Sequence, residues 1–478
     1  MLPGTNVSWA RAINDEGLVA GLAGYDRLFT WREGSGIRDT LSPHVLPNQT
    51  PRINNRGQIA GIWRRGDANV PFLWENGSVR ELPQPALDYV QAVERLTDGG
   101  MLLYRGPVPA GGCPRQAAAL FQGQLYDVSS SIGGCWDARD VADGPRIVGS
   151  RRRTDLITYF DATAWSFQGE TRLPTGRSYF IPTQFTRVGP AGHLAGTQGS
   201  GATRMFVLGP GGDYAEFDTP GGPFFPVAIS LFGEVVANAY GPPRTVPMLA
   251  RNGRLIDLTA VGAGFTVLLV SDINRQGHMA AEARLSANGE VHGVLIRPTD
   301  QPRNLRQSAA GNHVTLTWDA PPNAPSGATY LLKVGSTPGA ADVLSSNLGA
   351  ATTVSGTVPN GAYFARLVMV YPNGAWSGTS EELRFDVPSP PGAPTGLTFS
   401  LEGRRLTLAW TPPAGGAASY VAEAGTQPGA SNFYNGGVGS APGVTAEVPP
   451  GTYFIRVRAV SAAGSVGPVS DEIVVTVP

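Results

Sequence analysis

Over the first three hundred residues, apolar and polar positions alternate in short runs punctuated by Gly, Asn and Asp. That period-two pattern predicts half-buried strands; an amphipathic helix would repeat its apolar residues every three to four positions. One phrase recurs through the region. It is clearest as AINDEGLVAG (12–21) and RINNRGQIAG (52–61). The nine-residue frame that begins at Ile13 fits again, with decay, from Ile53, Leu96, Val141, Val188, Ile229 and Ile273, at intervals of 40 to 47 residues. The N-D-E-G and N-N-R-G segments inside it predict hairpin turns, because Asn, Asp and Gly tolerate positive φ.

A second apolar phrase follows each frame, as in FTWREG (29–34), FLWENG (72–77), ALFQGQ (119–124) and WSFQGE (165–170), and weakens to FVLGPG (206–211) and MLARNG (248–253). A fourth short strand comes after it, as in SVRELP (78–83), YAEFD (214–218) and LIDLT (255–259). Four strands per unit and seven units predict an all-β fold, a seven-bladed β-propeller over residues 1–298. The first strand of each unit carries small residues (Ala10, Ala12, Ala92, Ala138, Ala228) and is expected to lie innermost, where a propeller is most crowded. The seventh unit ends at VHGVLIRP (291–298) without a fourth strand. Met1-Leu2-Pro3 is in phase with Glu81-Leu82-Pro83, so the N-terminal residues are expected to complete the last sheet and remove its open edge.

The repeat stops after Pro298, and a different duplication begins. Trp318 matches Trp410, Tyr330 matches Tyr420, GSTPG (335–339) matches GTQPG (425–429), and PNGAYFARL (359–367) matches PPGTYFIRV (449–457). The proline-rich VPSPPGAP (387–394) reads as a semi-rigid spacer between the copies. With these landmarks the copies, 301–388 and 392–478, resemble fibronectin type III domains. The resemblance implies β-sandwiches and places Tyr363 and Tyr453 at the family's tyrosine corner. Neither copy carries an RGD tripeptide. The I-N-x-x-G-x-V-x-G and F-L-W-x-x-G phrases of the N-terminal units resemble the HAF-type extracellular repeat of bacteria, which implies export but no particular reaction.

Composition narrows the function. The chain has 36 basic and 37 acidic residues, a net charge of −1 and only 15% charged residues, so neither nucleic acid nor an anionic membrane surface is an expected partner. No apolar run approaches the ~18 residues of a membrane helix. The chain opens MLPGTNVSW, without the basic patch and apolar core of a secretory signal, so export would require a leader outside this sequence. Cys113 and Cys135 are the two cysteines. In an oxidising compartment they would close a loop of about twenty residues, contributing roughly 3 kcal/mol.

The sequence contains no G-x-S-x-G, H-E-x-x-H, G-x-x-x-x-G-K-[ST] or C-x-x-C motif and no D-x-D-x-D-G calcium loop, and no cofactor or metal is expected. Candidate binding residues come from the frames. Asp15, Asp98, Asp143 and Asp272 would gather as cation or sugar contacts if the frames meet at one rim. His193 and His278 hold one frame position beside the turn glycine. Ordinary turn chemistry is the simpler account of both sets. Asp161 and Glu282 are a weaker candidate for a glycosidase pair. These features predict a monomeric, exported or cell-surface binding or adhesion protein without enzymatic activity. A propeller face would take extracellular polysaccharide or a surface protein, and the tail would act as a stalk. The alternatives are a secreted polysaccharide lyase or glycoside hydrolase with its site at the channel mouth, and a purely structural envelope protein.

Overall fold

The computed structural model describes residues 6–478 except 25, 40–44, 46–48, 86–89, 108–115, 129–135, 144–145, 153–159, 167–168, 173–182, 200, 211, 219–221 and 263. Every named element is a β-strand, and contacts divide the chain into Met1–Thr299 and Asp300–Pro478.

In the first unit each frame opens one antiparallel sheet. Six sheets have four strands in the order 1-2-3-4, and the last, Phe265–Ile273, Met279–Leu285 and Val291–Ile296, has three among the described residues. The first sheet is typical, with Ser8–Ile13, Val19–Ala23, Arg27–Arg32 and Gly36–Asp39 joined by tight turns. Gly17, Gly57, Gly100, Gly192, Gly233 and Gly277 take φ between 74 and 85° in the frame turns, a region that L side chains avoid.

This unit has no single core. Its apolar side chains form layers between successive sheets. Ala20, Leu22 and Leu28 of sheet 1 pack on Ile59 and Phe72 of sheet 2. Equivalent layers join sheets 2 and 3, 3 and 4, 4 and 5, 5 and 6, and 6 and 7. Ala280 of sheet 7 then packs on Ala10, Ile13 and Val19 of sheet 1, which returns the series to its start. Residues 1–5, proposed to complete sheet 7, lie outside the described residues, as do Cys113 and Cys135. Val7, just ahead of the first strand of sheet 1, accepts the Gly24 N–H on its carbonyl at 3.0 Å.

The first strand of six sheets carries a β-bulge at one shared place, two residues ahead of the frame. The bulged residues are Arg11, Glu94, Arg139, Thr186, Val227 and Ser271. A bulge bends its strand and re-aims the neighbouring side chains, and here the next residue starts a column that lines the centre of the unit. The three charged ones form ion pairs: Arg11 with Glu282 at 2.5 Å across sheets 1 and 7, Glu94 with Arg105 at 2.7 Å, and Arg139 with Asp137 at 2.5 Å.

The second unit repeats one arrangement twice. A three-stranded sheet (Arg303–Ala310, His313–Asp319, Thr353–Thr357) faces a five-stranded one (Leu344–Asn347, Thr329–Gly335, Gly361–Val370, Trp376–Thr379, Leu383–Val387), and the same connectivity recurs over Thr395–Val477. Trp318 and Tyr330 meet edge to face at 5.8 Å, and Trp410 and Tyr420 do so at 5.1 Å. The Tyr363 hydroxyl donates to Pro359 O at 2.9 Å and the Tyr453 hydroxyl to Pro449 O at 3.2 Å, the local return to the backbone expected of those two tyrosines.

Candidate binding site

The ends of the seven inner strands converge. A cavity of about 90 Å³ is lined from all seven sheets by the same frame positions, among them Ile13–Asp15, Ile53–Asn55, Leu96–Asp98, Val141–Asp143, Pro190, Ile229–Leu231 and Ile273–Arg275. The second frame position ties neighbours together. The Asn54 carboxamide oxygen accepts the Arg56 and Gln58 N–H groups at 3.1 and 3.0 Å, and its nitrogen donates to Thr97 O in sheet 3 at 3.1 Å. Asn14 caps its own turn in the same way and donates to Asn54 O at 3.1 Å. Asn274 does so from sheet 7 to Asn14 O at 3.0 Å, joining the last frame to the first across 260 residues. All three asparagines are buried. Thr97 and Ser230 keep only the turn cap, which is how the frame decays without losing its shape. Asn54→Ala removes both kinds of bond, leaves buried backbone groups unpaired, and is expected to cost roughly 2 kcal/mol. A fall of several degrees in thermal midpoint would show this, whereas an unchanged midpoint would count against the tie.

The third frame position forms the rim, reading Asp15, Asn55, Asp98, Asp143, Pro190, Leu231 and Arg275 around the sheets. Asn55 bridges two carboxylates, donating from Nδ2 to Asp15 at 2.8 Å and to Asp98 at 2.6 Å. Backbone donors hold the rest: Asn55 N–H on Asp98 at 2.7 Å, Arg275 N–H on Asp15 at 2.8 Å and Gly99 N–H on Asp143 at 2.7 Å. Asp15, Asp98 and Asp143 therefore do share one rim, as an acceptor belt fixed by main-chain and amide donors. Three carboxylates against the one guanidinium of Arg275 leave this rim acidic.

Asp272 lines the same cavity but belongs to a deeper layer. It stands one residue ahead of its frame, and Arg275 holds the column that Asp15 occupies in the first repeat. Its carboxylate accepts the Ile273 N–H at 2.9 Å and the Ile13 N–H at 3.0 Å. Asp140 makes the matching pair of contacts, to Val141 N–H at 2.9 Å and Val188 N–H at 3.0 Å. The column ahead of the frame thus reads Ala12, Arg52, Arg95, Asp140, Arg187, Ala228 and Asp272. Burial pushes the Asp272 carboxyl up, against the charges of Arg95 and Arg52 and its two backbone donors. Burial also works against the Arg95 cation, but the carboxylates of Asp140, Asp272, Asp98 and Asp143 hold its pKa above the usual arginine value. The cavity therefore has an acidic rim above a mixed layer of guanidinium and carboxylate.

His193 and His278 do not meet. They lie in sheets 5 and 7, with Glu234 of sheet 6 at the position between them. The His193 ring covers the turn of the next sheet so closely that a Cβ on Gly233 would fall 2.5 Å from it, and Glu234 stands over Gly277 in the same manner. Burial pushes the His278 pKa down, as does nearby Arg297, against the Glu33 carboxylate. Glu282 is engaged by Arg11, and the Asp161 side chain lies outside the described residues. No group of three or more His, Cys, Asp or Glu among the described residues is placed to hold a metal ion. No helix among them is long and apolar enough to cross a membrane.

Motif reading missed Asn55 and Arg275, which depart from the strongest version of the frame, and Arg95 and Asp140, which stand one residue ahead of it. Reading the seven frames as columns would have found them.

No protein-family profile and no curated protein sequence matches the chain. Among solved structures, a streptogramin B lyase is similar over 62% of this chain and 95% of its own, at 12% identity and a TM-score of 0.40. A two-domain fibronectin type III segment of chicken tenascin is similar over 37% of this chain and 98% of its own, at 17% identity and a TM-score of 0.18. The chicken interferon gamma receptor alpha chain shares 15% identity over 37% of this chain and 98% of its own, at a TM-score of 0.17.

Proposed function

We propose that residues 1–298 form a seven-bladed β-propeller of HAF-like repeats, that 301–388 and 392–478 are fibronectin type III domains, and that the protein is an exported or cell-surface binding protein without enzymatic activity. The propeller presents the seven-frame rim as its ligand platform, and the tail serves as a stalk. The observation that carries this reading is the belt of Asp15, Asn55, Asp98 and Asp143, whose carboxylates are held by backbone and amide donors around one small polar cavity. Carboxylates fixed in this way suit the reception of sugar hydroxyls or a surface ammonium group. General acid–base work needs a group free to exchange a proton with substrate.

A glycan array probed with the purified protein, with and without EDTA, tests the platform. Asp143→Asn keeps an acceptor for Gly99 N–H and removes rim charge. It is expected to weaken captured glycans about tenfold with little change in melting temperature, as for the loss of one charge-assisted contact. Release of reducing ends or unsaturated sugars from a bound polysaccharide would replace this reading with the lyase or hydrolase one. Binding that Asp143→Asn leaves intact would remove the rim from it.

A further inference from the structure

At the other end of the inner strands, between sheets 2 and 3, lies a second and larger cavity of about 420 Å³, lined by Gln49, Thr50, Arg52, Asn69, Gln91, Ala92, Val93, Glu94 and Arg105. We infer that it is a binding site for a sugar acid, a saccharide unit that carries a carboxylate beside its hydroxyls.

Arg52 supplies the first argument. Its side chain is only 16% exposed, and its Nε donates to Val93 O at 3.3 Å. Its ion-pair partner, Glu94, stands 3.7 Å from a terminal nitrogen, longer than a hydrogen bond, and Asp272 acts on its charge without a hydrogen bond. The other oxygen of Glu94 is ion-paired with Arg105 Nε at 2.7 Å. Among the described residues the four terminal N–H groups of Arg52 therefore have no acceptor within hydrogen-bond distance, although burial presses against its charge. A guanidinium in that state presents the flat double donor that a carboxylate accepts through both oxygens.

The rest of the lining supplies the second argument. The side-chain nitrogens of Gln49 and Asn69 are turned to protein carbonyls, donating to Gln91 O at 2.8 Å and Val90 O at 3.0 Å. Among the described residues their amide oxygens and the Thr50 hydroxyl have no such partner, which leaves them to hydroxyl donors. Only Ala92 and Val93 in the lining are apolar. A simple carboxylate would use the arginine and leave those acceptors idle. A neutral sugar would use the acceptors and leave the arginine idle. A sugar acid uses both.

The test is calorimetric titration of the full chain with a glucuronic acid–glucose disaccharide, with cellobiose as its neutral counterpart, and with acetate and a short polyglutamate peptide as carboxylates without sugar. The acidic disaccharide is expected to bind at least tenfold more tightly than any of the others. Arg52→Lys, which keeps the charge and loses the planar fork, should weaken it about tenfold. Arg52→Gln should weaken it further, and Asn69→Asp should oppose it by placing a like charge in the cavity. Thermal melts of each variant within a few degrees of the parent confirm that the fold is retained. Equal affinity for the acidic and neutral disaccharides overturns the inference. So does acetate or polyglutamate binding as well as the sugar acid, the absence of disaccharide binding at millimolar concentration, or a folded Arg52→Gln that binds like the parent.

Discussion

Gly21→Val is expected to destabilise the N-terminal unit by roughly 3 kcal/mol or more, at or beyond the upper end of overpacking changes. Gly21 lies in the second strand of sheet 1, paired with Ala10 on one side and Phe29 on the other. A Cβ there would sit 2.2 Å from Trp9 O and 2.5 Å from the Phe29 ring. The ring could rotate away; the carbonyl could not, because it belongs to the inner strand next to the bulge. The bulge brings that strand close and the glycine makes room for it. Gly196 shows the same environment, where a Cβ would fall 2.1 Å from Gln184 O and 2.5 Å from the Phe206 ring, and at Gly149 a Cβ would fall 2.0 Å from Asp137 O. The phenylalanine laid across the strand from a glycine restores apolar cover that the missing side chain would have given. Circular dichroism melts would show the loss. A midpoint within two degrees of the parent, allowing roughly 2–4 °C per kcal/mol in a unit this large, would refute the close-approach account.

Trp318→Ala should cost about 3–5 kcal/mol in the C-terminal unit, the usual range for deleting a large aromatic from a core. Trp318 is 2% exposed and packs among Val314, Leu316, Tyr330, Leu332, Leu367 and Phe385. Those residues come from both sheets of the first sandwich, and strand backbones cannot close over a void of indole size. Trp410 occupies the corresponding place in the second sandwich. Hydrogen exchange would resolve the two copies: amides of 303–387 should lose protection in Trp318→Ala while those of 395–477 keep theirs. Uniform loss across both would mean that the copies unfold as one.

The sequence shows most of the fold. A period of two in hydrophobicity, glycines where the backbone must take positive φ, and phrases returning at steady intervals are local properties, and local physics is written in neighbouring residues. For that reason the all-β class, the frame turns and the short fourth strands at 78–81, 214–218 and 254–257 follow from the chain alone. So do the matching landmarks of the two tail copies. The site was half legible. Asp15, Asp98 and Asp143 could be grouped because they share a frame position, yet their partner Asn55 passed as a variant of the motif.

What only the tertiary structure decided concerns residues that meet across sheets. The bulge shifts the side chains ahead of each frame without leaving a motif, so Asp272 joined Arg95 and Asp140 in a deeper layer and not the rim. Arg52 and Glu94, forty-odd residues apart and unremarkable as letters, became a pair only when sheets 2 and 3 were laid side by side. Hydrophobic spacing specifies which face of a strand is buried. It carries no information on which polar side chain of another repeat will stand opposite, because that depends on the distance and angle between whole sheets.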